Sequence, residues 1–311
     1  MWHSFPVATA LELPLKGPKG EPVDLFRTIM SHGVADLPPG HVDEEAASYT
    51  TTLALPSAQP RTIRILAGRP GFARVEVQGR QLGARGARDL TAAVRQILNL
   101  DRDLSEFYAL VANDPDLSWV SHGAGRMLRA STVFEDVVKT ICTTNTAWSG
   151  TRKMTRALVD NLGGPAPGGE HTFPTPEVMA AADLTFYRDV VRAGYRGPYL
   201  KTLATDVAQG TIDLEELNDP ELPDEEAAAR LLALPGVGPY AAAHVMLTSL
   251  GRYSRLVLDS WTRPTYGKLS GARGALKDTT IERRFKRYGD WAGLAFWLYL
   301  TRGWVEDGLP V

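Results

Sequence analysis

The chain has 311 residues, 44% of them apolar and 23% charged, with a formal net charge of −2 at neutral pH. Those values describe an ordinary globular chain, long enough for two domains or for one large domain with an appended subdomain. No apolar stretch approaches the ~20 residues a bilayer span needs, and a single cysteine, Cys142, excludes an intrachain disulfide or a cluster held by several cysteines.

The opening Met1-Trp2-His3-Ser4-Phe5-Pro6 lacks the basic-then-apolar order of a signal peptide, so a cytoplasmic address is expected. Residues 1–112 read as mixed α/β. Segments 50–55, 61–66 and 73–77 carry strand-like alternation or β-branched residues, with turn-rich pieces at 56–60 and 68–71 between them. Consecutive short strands joined by turns predict an antiparallel sheet, flanked by helical patterns over 22–31 and 89–98.

From Leu104 onward the texture is helical. Residues 132–143 place Val133, Phe134, Val137, Val138, Ile141 and Cys142 on one wide apolar face. A helix over 150–162 ends at Gly163-Gly164-Pro165, and 165–169 is a loop. Thr175 before Pro176-Glu177 reads as an N-cap followed by proline at the first helical position. Helices over 224–232, 240–250, 280–288 and 291–300 complete the pattern, with no internal repeat. The predicted class is α+β: a sheet-containing domain over 1–112, then a mostly helical core over 113–311.

Charge is unevenly spread. Residues 251–302 hold eleven Lys or Arg against four acids, and residues 125–156 hold six against two. Basic runs are often only solvated faces. Two of them flanking an anion-binding turn point instead to an electrostatic footprint for a polyanion.

That turn is the most informative stretch: Leu234-Pro235-Gly236-Val237-Gly238-Pro239-Tyr240-Ala241-Ala242-Ala243-His244. One helix ends near Leu232, a tight turn follows, and Pro239 opens the next helix, where its missing amide is no loss. The glycines allow positive φ and close approach of a phosphate, and the amides opening the second helix point at the anion. The phosphate-contacting turn is therefore assigned to Leu234, Gly236, Val237 and Gly238. A lone carboxylate, Asp259, follows about twenty residues later.

With Asp259 in register, this pattern resembles the helix–hairpin–helix DNA glycosylase superfamily, most closely its 3-methyladenine DNA glycosylase II (AlkA) type. Residues 173–177 with Ala180-Ala181-Ala182-Asp183, the tail 284–288 with Trp291, and Tyr299-Leu300-Thr301-Arg302-Gly303-Trp304 support the closer match. Ile141-Cys142-Thr143-Thr144-Asn145 resembles the 8-oxoguanine branch instead. The resemblance implies a two-lobed helical core with its hairpin at about 224–250, and base-excision repair of double-stranded DNA holding a damaged, alkylated purine. Excision of oxidised guanine or deaminated purines, and damage binding without catalysis, are the alternatives.

The resemblance also assigns roles. Asp259 matches the catalytic aspartate, which steadies oxocarbenium character as the N-glycosidic bond breaks. Its bland role, a helix N-cap before Ser260-Trp261-Thr262, is compatible with this. Tyr240, His244 and Tyr299 match base-pocket positions, where aromatic faces suit a cationic base; a buried structural role is the alternative for His244, and Trp297 reads as core. Asn145 matches the residue that fills the gap left by the extruded base, with Trp148 as a hydrophobic anchor nearby. Bifunctional relatives carry a lysine where this chain has Tyr240. A phenol forms no imine, so the expectation is a monofunctional enzyme without lyase activity. The single cysteine and six histidines without metal-ligand spacing predict no iron–sulfur cluster and no zinc, although carbonyls in such turns suit a monovalent cation. A monomer is expected, with no membrane partner.

Overall fold

The computed structural model describes residues 7–304. Five strands, β1 (Val7–Pro14), β2 (His41–Asp43), β3 (Ser48–Leu55), β4 (Ala58–Ala67) and β5 (Phe72–Gln78), form one sheet in the order β1-β5-β4-β3-β2. Every pairing is antiparallel, with Ile63 opposite Val77 and Ile65 opposite Val75. The three strands legible in the sequence are the central ones. β1 and β2 were not predicted: β2 has only three residues and β1 is an edge strand closed by Pro14, a position proline tolerates.

Alternation along the strands puts Leu53, Ile63, Ile65, Val75 and Val77 on one face, where they meet Leu90, Val94 and Ile97. The latter three line one side of a long helix. Each fully buried aliphatic side chain contributes roughly 1.5–3 kcal/mol. Helix α1 (Leu25–Ile29) is shorter than its predicted span because Asp24 caps it, accepting from Arg27 N at 2.9 Å. The long helix, α2 (Ala84–Ile97), starts five residues before its predicted beginning.

Helix α3 (Ser105–Val111) does not pack on the sheet. Leu104, Phe107, Tyr108 and Val111 join a core with Leu117, Val120, Trp291 and Phe296. The sheet core runs through Leu100 and takes in Leu128 farther along the chain.

Two helical lobes follow. The first packs α4 (Val133–Thr143), α5 (Trp148–Leu162), α6 (Pro176–Ala181), α7 (Arg196–Ala208), α8 (Asp224–Leu232) and α9 (Pro239–Val245) around Val137, Ile141, Leu158 and Leu203. Thr175 caps α6 with Pro176 in its first turn, as the sequence predicts. α7 had no sequence signal, because Gly197 and Pro198 at its start read as a turn. The second lobe adds α10 (Thr262–Leu269), α11 (Asp278–Phe285) and α12 (Ala292–Thr301) to α3.

α9 lies between the lobes. Ala241 and Ala242 belong to the first core, Ala243 to the second, and Tyr240 packs against both. Small side chains let the flanking helices close on it, and the interlobe cleft opens at its N-terminus.

The two basic segments fare differently. In the first, Arg126 is fully buried against Glu21 and Lys139 is buried against Glu135. Arg152 is paired with Asp36 as well. Two of the six cations are therefore buried and a third is paired at the surface, which leaves less free charge than the composition suggested. In the second, Arg255, Lys268, Arg273, Lys277, Arg283, Arg284 and Lys286 are exposed, and none makes an ion pair among the described residues. Seven exposed cations in that segment are therefore without an ion pair among the described residues.

Candidate active site

The α8–α9 turn is built as an anion cradle. Gly236 has φ +78°, and a Cβ there would stand 2.8 Å from the Tyr199 ring. Both facts require glycine. Gly238 differs: its φ is −99° and ψ −176°, and a Cβ would meet nothing within 4 Å. Its missing side chain leaves open space beside the backbone.

The amides divide accordingly. Leu234 N donates to Leu231 O at 3.1 Å and Val237 N to Leu234 O at 3.2 Å, so these two expected phosphate donors are spent within the turn. Leu234 and Val237 are also buried. Among the described residues, Gly236 N and Gly238 N donate to nothing, and the first amides of α9 lack intrahelical acceptors. The cradle reduces to those groups.

Asp259 lies across a cleft of about 700 Å³ that Gly236, Gly238, Tyr240, Asn145 and Arg263 also line. Its Oδ1 accepts from Trp261 N at 2.8 Å and Thr262 N at 2.6 Å, while Thr262 Oγ1 accepts from Asp259 N at 2.8 Å. This reciprocal cap fixes the carboxylate at the head of α10. Oδ2 accepts from no described residue. One oxygen is structural and the other is free for the cleft.

Tyr240 walls the cleft next to Asp259. The Thr143 hydroxyl donates to Thr140 O at 2.7 Å, leaving its lone pairs to accept from Tyr240 OH at 3.3 Å. Burial, together with the nearby Asp259 charge, holds the phenol above its ordinary range. It is a neutral donor and ring face, not a nucleophile.

His244 and Tyr299 are not where the base pocket expectation put them. His244 lies one turn farther along α9, about 6 Å deeper at 1.5 Å per residue, and is 4% exposed. Its ring centroid sits 5.8 Å from Tyr240, 6.0 Å from His32 and 6.3 Å from Trp297. Burial lowers its pKa to about 4, so it is a neutral core group behind the cleft wall. Tyr299 points its hydroxyl at Leu269 O, 3.3 Å away, and packs on Tyr266 and Phe285. Residues two apart on a helix face opposite sides. Trp297 therefore faces the Tyr240 side, with Trp261 at 5.8 Å and Trp304 beyond it. This tryptophan cluster, which starts two residues after Asp259 and lies outside the cleft lining, was not foreseen as a unit.

Asn145 projects from the α4–α5 turn with φ +46°, and its Nδ2 donates to Tyr195 OH at 3.1 Å. Arg196, itself buried, fixes this turn by donating to Thr144 O and, at 3.3 Å, to Thr144 Oγ1. Tyr195 is 53% exposed at the cleft mouth. Trp148 sits 3.7 Å from where a Gly33 Cβ would stand, an anchor onto the sheet domain. Sequence reasoning missed Tyr195, Arg196 and Arg263, whose only signal is spacing from the turn and from Asp259. Among the described residues, no group of three or more His, Cys, Asp or Glu is placed to hold a metal ion. No helix there is long and apolar enough to cross a membrane.

No protein-family model matches the chain. It is 26% identical over 246 residues to a probable N-glycosylase/DNA lyase of Methanothermobacter thermautotrophicus, covering 71% of this chain and 76% of the relative. Its relatives and structural neighbours are DNA glycosylases, in line with the helix–hairpin–helix superfamily that the 234–244 turn and Asp259 resemble. Solved glycosylase structures share its fold along nearly the whole length. MBOgg1 in complex with a low-affinity DNA ligand superposes with TM-score 0.71 at 24% identity, covering 97% of each chain. The 3-methyladenine DNA glycosylase from Archaeoglobus fulgidus gives TM-score 0.72 at 20% identity, covering 94% of this chain and 98% of that one. Against longer relatives from a plant and a mycobacterium, the chain spans 59% and 47% of their lengths.

Proposed function

We propose that the chain is a monofunctional DNA glycosylase that rotates a damaged purine out of duplex DNA and hydrolyses its N-glycosidic bond, leaving an abasic site. The observation that carries this reading is Asp259: capped through Oδ1, with Oδ2 unclaimed, in the same cleft as the free Gly236 and Gly238 amides. Extrusion costs a few kcal/mol of unstacking, which Asn145 offsets by entering the vacated stack. A carboxylate fixed beside the sugar stabilises the oxocarbenium-like transition state and orients the attacking water. Tyr240, in place of an amine, supports hydrolysis rather than imine formation. That separates this chain from the lyase activity named for its archaeal relative.

The Tyr240 and Tyr195 rings that line the cleft favour an alkylated, cationic purine, since an aromatic face gains about 0.5–2 kcal/mol from a desolvated cation. Oxidised guanine is the second reading, favoured by Asn145 with Tyr195 at the cleft mouth. Duplexes each carrying one lesion, incubated with the protein and then treated with alkali, separate the two: alkylpurine duplexes should yield strand breaks first. Borohydride should trap no covalent complex. An efficient trapped complex sinks the monofunctional assignment.

A further inference from the structure

The cleft has one cation in its lining, Arg263, and that cation is already engaged. Its Nε and Nη2 donate to the two carboxylate oxygens of Asp278 at 2.7 and 2.9 Å, a bidentate fork joining α10 to the start of α11. Both side chains remain about two-fifths exposed, at 41% and 43%. Exposed pairs of this kind contribute little to stability, because water screens them and ordering two side chains offsets the attraction. A guanidinium fork binds a phosphodiester in the same two-point geometry as a carboxylate. The partner can therefore be exchanged at small cost.

The surroundings say which phosphodiester. A nucleotide turned into the cleft carries a phosphate on each side. The free Gly236 and Gly238 amides offer one anion site, and among the described residues no Lys or Arg besides Arg263 lines the cleft to meet a second. Beyond Arg263 a neighbouring groove of about 490 Å³ continues past Lys268 and Arg273, both exposed and without ion pairs among the described residues. Arg263 stands where the two grooves meet.

Resting on the glycosylase reading above, we infer that Arg263 is a phosphate clamp held in reserve by Asp278, whose carboxylate occupies the guanidinium until a backbone phosphodiester beside the extruded nucleotide displaces it. Asp278 is then a competitor of DNA, not a structural staple. The two roles differ in sign. A staple loses the same contact whichever partner is changed. A clamp with a competitor loses affinity when the cation goes and gains it when the carboxylate goes.

The test is anisotropy titration of the full chain against an undamaged duplex and one holding a stable tetrahydrofuran abasic analogue, with thermal melts of every variant. Arg263→Gln should weaken binding about tenfold and lower the salt slope by about one unit. Asp278→Asn should tighten binding about threefold. The double variant should match Arg263→Gln, because Asp278 acts only through the arginine. Shifts of the two single variants in the same direction, or no shift in either beside intact wild-type binding, overturn the clamp alone. Absence of wild-type binding to both duplexes overturns the glycosylase reading with it.

Discussion

Replacing Asp259 separates its two roles, because the roles use different oxygens. In Asp259→Asn the amide oxygen still accepts from Trp261 N and Thr262 N, so the head of α10 keeps its geometry. Only the charge is lost. A carboxylate about 4 Å from a developing oxocarbenium, at an effective dielectric of about 20, contributes about 4 kcal/mol. Removing it should slow excision about 10³-fold. Asp259→Ala removes the charge and the cap together, so it should slow excision equally and cost a further 0.5–2 kcal/mol or so of stability. Single-turnover release of base from a lesion duplex reads the first quantity, and denaturant unfolding of the same preparations reads the second. DNA binding should survive in Asp259→Asn. If that variant excised within tenfold of the unaltered chain, the carboxylate would not be the electrostatic element, and the mechanism would be refuted.

The turn and the buried histidines give two further tests. Gly238→Ala suits the backbone, with φ −99° and open space at the Cβ position, so stability should change by less than about 1 kcal/mol. The added methyl stands beside the free amides, so DNA affinity should fall about tenfold, as for one lost hydrogen bond to a charged acceptor; unchanged affinity would place the phosphate elsewhere. His244 and His32 protonate in the folded chain only near pH 4 and 3 because burial penalises the cation, whereas in the unfolded chain they protonate near 6.5. Their contribution to stability is full above pH 6.5 and is lost as pH falls toward 4 and 3. Buried Asp136, raised to about 6, acts in the opposite sense and cancels one of the two protons between pH 6 and 4. His244→Phe should therefore flatten the acid limb by about 1.4 kcal/mol per pH unit between pH 6 and 4.5. Urea unfolding across that range measures it, and an unchanged slope would contradict the neutral buried assignment.

The parts of this molecule that were legible in sequence share one property: the residue type alone fixes the local geometry. Gly236 needs its positive φ, Pro239 fits only the first turn of a helix, and β-branched runs such as 61–66 read as strands because they must sit on a pleat. The illegible parts depend on what distant segments bring. Thr143 reaches Tyr240 from 97 positions away, Arg196 holds the Asn145 turn from 52, and Arg126 carries its charge into the interior to meet a glutamate 105 residues earlier. Composition counted Arg126 as surface charge, and nothing local could have said otherwise.

The same distinction separates the cleft carboxylate, whose local geometry was readable, from the cleft's surroundings, which were not. Asp259 is set by its own next three residues, through a cap that closes within one turn. Tyr299 was assigned to the pocket by its distance from Trp304 along the chain, but α12 turns about 200° over two residues, so the choice between positions 297 and 299 depends on the rotation of the whole helix. That rotation is fixed by contacts outside α12: the Trp297 indole donates to Ser31 O of the sheet domain at 2.8 Å, and Phe296 packs on Tyr266 and Phe285. Under the function proposed above, base recognition would depend on how the sheet domain seats on the second lobe. Trp297→Phe, which keeps an aromatic ring but deletes the Ser31 bond, should loosen the packing on His244 and Trp261 behind the cleft and raise KM for lesion duplexes more than it lowers kcat, since the carboxylate and its cap are untouched. A fall in kcat alone would place Trp297 in the chemistry and not in the seating of the pocket.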